Sequence, residues 1–388
     1  MTLPETFFFK CPLKINCGSH ALEHLPVELA AVGSRAPLIL ANGDPIGKKR
    51  VKTVTDAFRT SGLTLGIYDG LTDQLQPELL PVLATVYRDG GCDSLIALGN
   101  GPVVDMAKCL NATIAGGDAA AFDDSQGGDA DHLNSLAPLM LVPVPGGNGD
   151  EPTGYVCDGH RRLKASALTP AAAFIDPALM KRTNDRELAE GALIGLARAV
   201  EAFLDESGSP MGRAYAHTAI GLIVQYLPMA LRKNNRDRSI CAVVNGQVAA
   251  GCAFSGASAD ICHSLGTRLA SPPVFTPGFI LAALLPYLVG YVGTAVSPDR
   301  AGELLYPLAG EETYAITAAD LKVSRVMALL WEFFEAVGVE LDCVIPSSLV
   351  EAGVDTEQIE TLLSQLADEP LAQCIAHIID SARSKPFR

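Results

Sequence analysis

The sequence predicts an α/β fold: an N-terminal doubly wound parallel-sheet domain over residues 1–178 and a C-terminal all-α domain over residues 179–388. Three observations carry that prediction. Short apolar runs of β-type residues alternate with stretches of helical spacing through the first half, the pattern of strands joined by crossover helices. From about Arg186 onward strand signals are nearly absent, and long Ala/Leu-rich patterns with helical spacing dominate. Glycine-rich turns come after two of the apolar runs, where an open parallel sheet builds its binding crevice.

Along the chain, Leu38-Ile39-Leu40 reads as a strand ending at the turn signal Asn42-Gly43-Asp44-Pro45. Over residues 48–61, Val51, Val54 and Phe58 recur at three and four residues, which gives a helix one apolar face. Residues 63–68 read as a strand closed by Asp69-Gly70, residues 79–89 as a helix, and residues 94–98 as a buried strand ending in Gly99. Residues 139–144 form the next strand, and the Gly/Asp-rich piece 115–131 reads as a surface loop. The last short strand ends at Ile175-Asp176-Pro177, and helices then cover 188–205, 212–227, 240–254, 278–292 and 321–337.

Composition narrows the function. The chain has 388 residues with Lys+Arg 29 and Asp+Glu 44, a net charge of −15. That acidity repels phosphate polyanions at long range, which argues against nucleic acid and anionic membrane partners. A local cluster of backbone amides at a helix start still attracts a phosphorylated cofactor. With 48% hydrophobic residues the chain can build sizeable cores. The first residues lack the basic start and apolar core of a signal peptide. The apolar stretch 279–292 contains Pro286 and Gly290 and is too short to span a bilayer, so it reads as a buried helix. Ten cysteines without a CxxC pair argue against a zinc ribbon or disulfide scaffold and for reduced thiols in the cytoplasm.

The sharpest local signal is Gly99-Asn100-Gly101-Pro102-Val103-Val104-Asp105-Met106-Ala107-Lys108, between a strand and a helix. Glycines let backbone approach a diphosphate closely, the helix start offers unpaired N–H groups, and Pro102 suits the first helical turn. A second glycine turn, Pro145-Gly146-Gly147-Asn148-Gly149-Asp150-Glu151, comes after the next strand. Either turn read alone is equally a tight connection. His20 and His24 form an HxxxH pair that would share a helical face, without an evident third ligand. His263 sits in a small, apolar helical context, where a histidine serves as a core residue or a titratable group. Arg198, flanked by apolar residues, is three positions from Glu201, an ordinary helical ion-pair spacing.

In this order, these segments resemble the iron-containing alcohol dehydrogenase family, which includes glycerol dehydrogenases and maleylacetate reductases. Residues 14–22 resemble the family's first strand and glycine turn, and 99–108 its GGGSxxDxAK loop, with Asn100 and Pro102 replacing a glycine and the serine. Residues 142–151 resemble its VPTTAGTGSE loop with the threonines and serine changed. Lys164, Pro170, Ile175-Asp176-Pro177, Ala250-Gly251-x-Ala253-Phe254 and Leu284-Leu285-Pro286 match further segments. The family holds a divalent metal with one aspartate and three histidines. Ile194 stands at the aspartate position and Arg198 at the first histidine; ungapped, His263, Thr267 and Pro277 stand at the others. Pairing Cys262-His263-Ser264-Leu265-Gly266 with the reductases' CHxLG puts His263 on the second histidine instead. One surviving ligand cannot hold a catalytic ion, which usually takes about three; no metal is therefore expected.

The resemblance implies a Rossmann-like domain that binds NAD or NADP, with Asp44, Gly99, Asn100, Gly101, Asp105, Lys108, Gly147 and Gly149 as cofactor-binding residues. Asp44, after the strand at 38–40, would reach the ribose hydroxyls and favour NAD. Asp150, where the family has serine, would place an unfavourable charge near the diphosphate. The nicotinamide is expected in the cleft between the domains. Arg198 and His263 are the expected catalytic pair for metal-independent reduction of a small carbonyl compound, carboxylate-bearing, or oxidation of the matching alcohol. A homodimer, a small-molecule substrate and a cytoplasmic location complete the expectation. The alternative is a non-catalytic paralogue that binds a ligand or a protein.

Overall fold

The structure is a computed structural model that describes residues 6–7, 9–124, 136–158, 162–232, 236–254, 265–266, 268–270, 276–366 and 372–383. The chain divides into two compact units, Cys11–Asn184 and Asp185–Arg388, the latter joined by Met1–Lys10.

The first unit runs β1 (Lys14–Cys17), α1 (Leu25–Ala31), β2 (Pro37–Asn42), α2 (Pro45–Asp56), β3 (Gly66–Leu71), α3 (Leu80–Asp89), β4 (Ser94–Gly99), α4 (Gly101–Ile114), β5 (Leu139–Pro143), β6 (Tyr155–Cys157), β7 (Arg162–Lys164) and β8 (Ala172–Ile175). Six strands form one sheet in the order β1-β8-β5-β4-β2-β3, every pair parallel. The period-2 alternation of a strand explains how both faces become cores. Ile39, Ala41, Ile96, Leu98, Met140 and Val142 face one way, with Leu25 and Leu29 of α1 and Val51 and Val54 of α2. Leu38, Leu40, Leu95, Ala97, Leu139 and Leu141 face the other, with Leu83 of α3 and Val103, Ala107 and Leu110 of α4. A strand buried on both faces reads as a near-continuous apolar run, as β5 and residues 95–98 of β4 do; Ser94, buried at the start of β4, shares a hydrogen bond with the Ser34 hydroxyl (2.6 Å).

Three local expectations change. The strand expected at 63–68 forms at Gly66–Leu71, because Leu63 and Leu65 pack on the core before pairing begins. The expected surface loop at 115–131 contains a 3-10 turn, Ala119–Phe122, with Phe122 buried; its residues 125–131 lie outside the described ones. The antiparallel ribbon of β6 and β7 adds a feature that the sequence pattern does not predict.

Among its described residues the regular structure of the second unit is all helical: α5 (Asp185–Leu204), α6 (Pro210–Leu231), α7 (Asp237–Phe254), α8 (Pro277–Tyr291), α9 (Pro298–Glu303), α10 (Leu305–Ile316), α11 (Lys322–Leu341), α12 (Thr356–Gln365) and α13 (Ala372–Ala382). Small residues set the crossings. A Cβ on Gly246 of α7 would lie 2.8 Å from the Ile223 side chain of α6, and one on Gly278 of α8 only 2.6 Å from the Glu190 carbonyl oxygen of α5. By length and composition α6 and the extended α8 are apolar enough to cross a membrane. In α8 that apolarity serves the core: Gly278 through Pro286 are all buried.

Candidate functional site

The chain reverses its direction of travel across the sheet at β2. From β2 it steps outward to β3, then crosses back to β4 on the other side. In doubly wound sheets this switch point opens a crevice at the carboxyl ends of the two strands. Here those ends are Asn42 of β2 and Gly99 of β4, with Ala41 paired to Leu98. Gly99 opens the turn into α4. A Cβ on Gly99 would strike Val103 at 2.7 Å, so the strand–helix turn is tight. Gly101 has φ +31°, and a Cβ there would meet nothing within 4 Å, so open space lies over it.

The second glycine turn, 145–151, is bound to the first. Glu151, only 4% exposed, accepts from the backbone amides of Gly101 (3.0 Å), Asn148 (3.0 Å) and Gly149 (2.8 Å). A carboxylate at the start of α4 also meets the positive end of the helix dipole. The Asn100 amide nitrogen donates to the Pro145 carbonyl (3.1 Å), so Asn100 ties the turns together instead of capping α4 with its side chain. Gly147 leaves room for Glu151, since a Cβ there would sit 2.9 Å from its carboxylate, and Gly149 has φ +91°. Pro102 has no amide proton, and the Val103 amide donates to the Asn100 carbonyl.

Beneath these turns lies a buried polar layer. Lys108 is wholly buried, and its ammonium donates to the carbonyls of Asp150 (3.0 Å) and Tyr155 (2.6 Å). Asp105 accepts from the Cys157 amide at 3.2 Å. Burial pushes the Asp105 carboxyl up, against the pull of Lys108, and the same burial pulls Lys108 down. One turn of α4 thus anchors both the second glycine loop and the β6–β7 ribbon. Asp150 does not stand as a bare charge: Arg162 of β7 grips it with Nη2 to Oδ1 at 2.6 Å and Nε to Oδ2 at 3.2 Å. The Arg162 guanidinium carbon lies 3.8 Å from the centroid of the Tyr155 ring, a cation–π contact. The charge expected to oppose a diphosphate is therefore compensated within the fold.

Asp44 follows the end of β2, as its spacing suggests. It is the N-cap of α2, accepting from Ile46 (2.6 Å) and Gly47 (3.1 Å). His20 and His24 do not share a helical face. His20 is left-handed (φ 71°) before a 3-10 turn that ends at His24, and its Nδ1 pairs with Glu23 at 2.8 Å.

In the helical unit Arg198 is fully buried on α5, its guanidinium carbon 5.7 Å from the Phe254 ring centroid. Ile194 lies one turn earlier on the same helix and Glu201 three residues later, both buried. His263 and Thr267 lie outside the described residues. Ile194, Arg198 and Pro277 offer no lone pair to a divalent cation, so the donor set at these positions does not fit one. Among the described residues no group of three or more His, Cys, Asp or Glu side chains is gathered for a metal. At the start of α8, Glu190 of α5 receives the Thr276 hydroxyl and the Gly278 amide. Burial pushes the Glu190 carboxyl up to about 7, partly offset by the Gly278 amide and Arg186.

The structure thus brings Gly99, Asn100, Gly101, Asp105, Lys108, Gly147 and Gly149 into one cluster of the first unit. Sequence reasoning missed Glu151 as the hub, Arg162 as the partner of Asp150, and Glu190. Glu151 is visible in the sequence only as the end of a glycine loop, and nothing in its spacing reveals the amides it gathers.

Two family models match the chain: iron-containing alcohol dehydrogenase over residues 12–177, and the C-terminal part of the same family over 189–377. The NAD-dependent methanol dehydrogenase of Bacillus methanolicus is 24% identical over 379 residues, 95% of each protein. The crystal structure of a 1,3-propanediol oxidoreductase superposes with a TM-score of 0.83 at 20% identity, covering 97% of this chain and 100% of that one. Sulfoacetaldehyde reductase from Bifidobacterium kashiwanohense, solved in complex with NAD+, gives 0.81 at 16% identity, covering 99% and 100%. With both models matched across nearly its whole length, the chain belongs to the iron-containing alcohol dehydrogenase family and is an alcohol dehydrogenase-like oxidoreductase.

Proposed function

We propose that the protein reduces a small, carboxylate-bearing carbonyl compound, or oxidises the matching alcohol, with NAD(P)(H) and without a metal ion. The observation that carries this reading is Arg198: a fixed, fully buried cation at the position where the family places a metal-binding histidine, with Ile194 in place of the aspartate. An aspartate without its metal would be an uncompensated buried charge, and the isoleucine removes it.

The dinucleotide reading draws support from the switch-point turn, the open space over Gly101, and the relatives whose names carry NAD. A bound nicotinamide would supply, or take up, the hydride at the substrate carbon. Gly99, Asn100, Gly101, Gly147 and Gly149 let backbone approach the diphosphate, while Glu151, Asp105 and Lys108 hold the two turns in register. Arg198 orients the substrate carboxylate through paired N–H donors, which a guanidinium does with fixed geometry. His263 gives its proton to the carbonyl oxygen as the alcohol forms. The protein works in the cytoplasm as a homodimer.

The test is NADH consumption by chelator-treated protein across keto acids and neutral aldehydes. Arg198→Ala is expected to cost at least about 100-fold in kcat/KM on keto acids, the scale of a lost charge-assisted pair, and far less on neutral aldehydes. Equal loss on both classes, or none, contradicts the reading. So does one equivalent of iron or zinc that is lost on His263→Ala. A second reading, a paralogue without turnover, is favoured by one feature: Glu151 already holds the Gly101 amide. Failure of millimolar NADH or NADPH to bind would select it.

A further inference from the structure

We infer that the pair Asn42–Asp73, rather than Asp44, meets the adenosine ribose and selects NAD over NADP; this rests on the reading that the 99–101 turn holds a dinucleotide. In doubly wound sheets the group that takes the ribose hydroxyls stands at the carboxyl end of the strand beside the one feeding the glycine turn. That strand is β2. Ala41 pairs with Leu98, so the next residue, Asn42, comes level with Gly99. Asn42 is neutral and brings no charge of its own to distinguish a hydroxyl from a phosphate.

The charge comes from the edge strand. Pairing of β2 with β3 runs Leu40 to Tyr68, then Asn42 to Leu71, so β3 sets Asp69 and Gly70 against the single Ala41 and carries one extra residue near its carboxyl end. Such a bulge bends an edge strand and re-aims the residues beyond it. The Gly43 amide donates to the Leu71 carbonyl (2.8 Å), and the Thr72 amide and hydroxyl both donate to Gln76 Oε1. The chain so held returns Asp73 to β2, where its Oδ1 accepts from Asn42 Nδ2 at 2.8 Å. Asp73 remains exposed, and its carboxylate has lone pairs left for the ribose 2′- and 3′-hydroxyls. The same carboxylate repels a 2′-phosphate. Asn42 is the positioning residue, since its amide fixes where that charge stands. Asp44 is committed to the first turn of α2.

The experiment is a fluorescence titration of the full chain with NADH and NADPH, reading the ratio of the two dissociation constants. Asp73→Asn is expected to shift that ratio toward NADPH by about tenfold or more, the value of one like-charge contact. Asn42→Ala, which frees Asp73, shifts it the same way by less. Asp44→Ala lowers the melting temperature through its lost cap and leaves the ratio unchanged. Wild-type binding of NADH with an unmoved ratio in Asp73→Asn, or a ratio moved by Asp44→Ala, overturns this inference alone. Binding of neither nucleotide to wild type overturns the dinucleotide reading, and this inference falls with it.

Discussion

The Glu151 carboxylate accepts the backbone amide of Gly101 at 3.0 Å, so an anion of the protein's own holds the start of α4. The same side chain gathers the amides of Asn148 and Gly149 and fastens the two glycine turns to each other. Glu151→Ala leaves three amides without this partner. A denaturant titration is expected to show a loss of about 2–4 kcal/mol, given about 1–3 kcal/mol for each poorly satisfied buried donor and partial rescue by water. Glu151→Gln, which keeps the shape, should lose less. A loss under about 0.5 kcal/mol for Glu151→Ala would remove it as the hub.

Lys108 is wholly buried beside the half-buried Asp105, whose carboxyl desolvation pushes up against the pull of Lys108, so removing either partner alone leaves the other poorly compensated. Lys108→Met is expected to cost about 3–5 kcal/mol. Adding Asp105→Asn to it should recover part of that loss, because no buried carboxylate is then stranded. A double variant as unstable as the sum of the singles contradicts the coupling.

Asp150 and Arg162 form a two-bond pair that is only partly exposed, at 15% and 17%. A double-mutant cycle with alanine at each position should return a coupling of about 1–2 kcal/mol, above the usual range for exposed pairs. The coupling should persist at high salt more than a surface pair does.

Glu190 gives the stability a pH dependence of known sign. Its folded carboxyl titrates at about 7 against an ordinary value of 4.5, so between those values the folded state holds a proton the unfolded state has lost. This contribution is complete below about pH 4.5 and is lost as pH rises through about 7. Denaturant midpoints of the wild type should therefore lead those of Glu190→Gln by more at pH 5 than at pH 8. An equal lead at both pH values contradicts it.

The sheet was legible because β2, β4 and β5 are buried on both faces and carry continuous apolar runs at 38–41, 95–98 and 139–142, and the long helices because their apolar spacing repeats over many turns. The β6–β7 ribbon was not, because three-residue strands carry too few positions to show alternation. The glycine turns announced themselves by composition. The jobs of Glu151, Arg162 and Asp73 did not, because each acts on backbone or side chains that only the folded sheet brings near. Asp44 illustrates the reverse. Its place after a strand suggested a ribose contact, while its role as the N-cap of α2 depends on the amides of Ile46 and Gly47 that the helix start turns toward it.

The central claim is that the switch-point turn still holds a dinucleotide without help from a metal. Titrating chelator-treated protein with NADH, alongside Gly101→Val, tests it most directly. The account predicts micromolar binding by the wild type and its loss in the variant, whose side chain would fill the open space over Gly101. No binding by the wild type at millimolar NADH and NADPH, or equal binding by the variant, would contradict it.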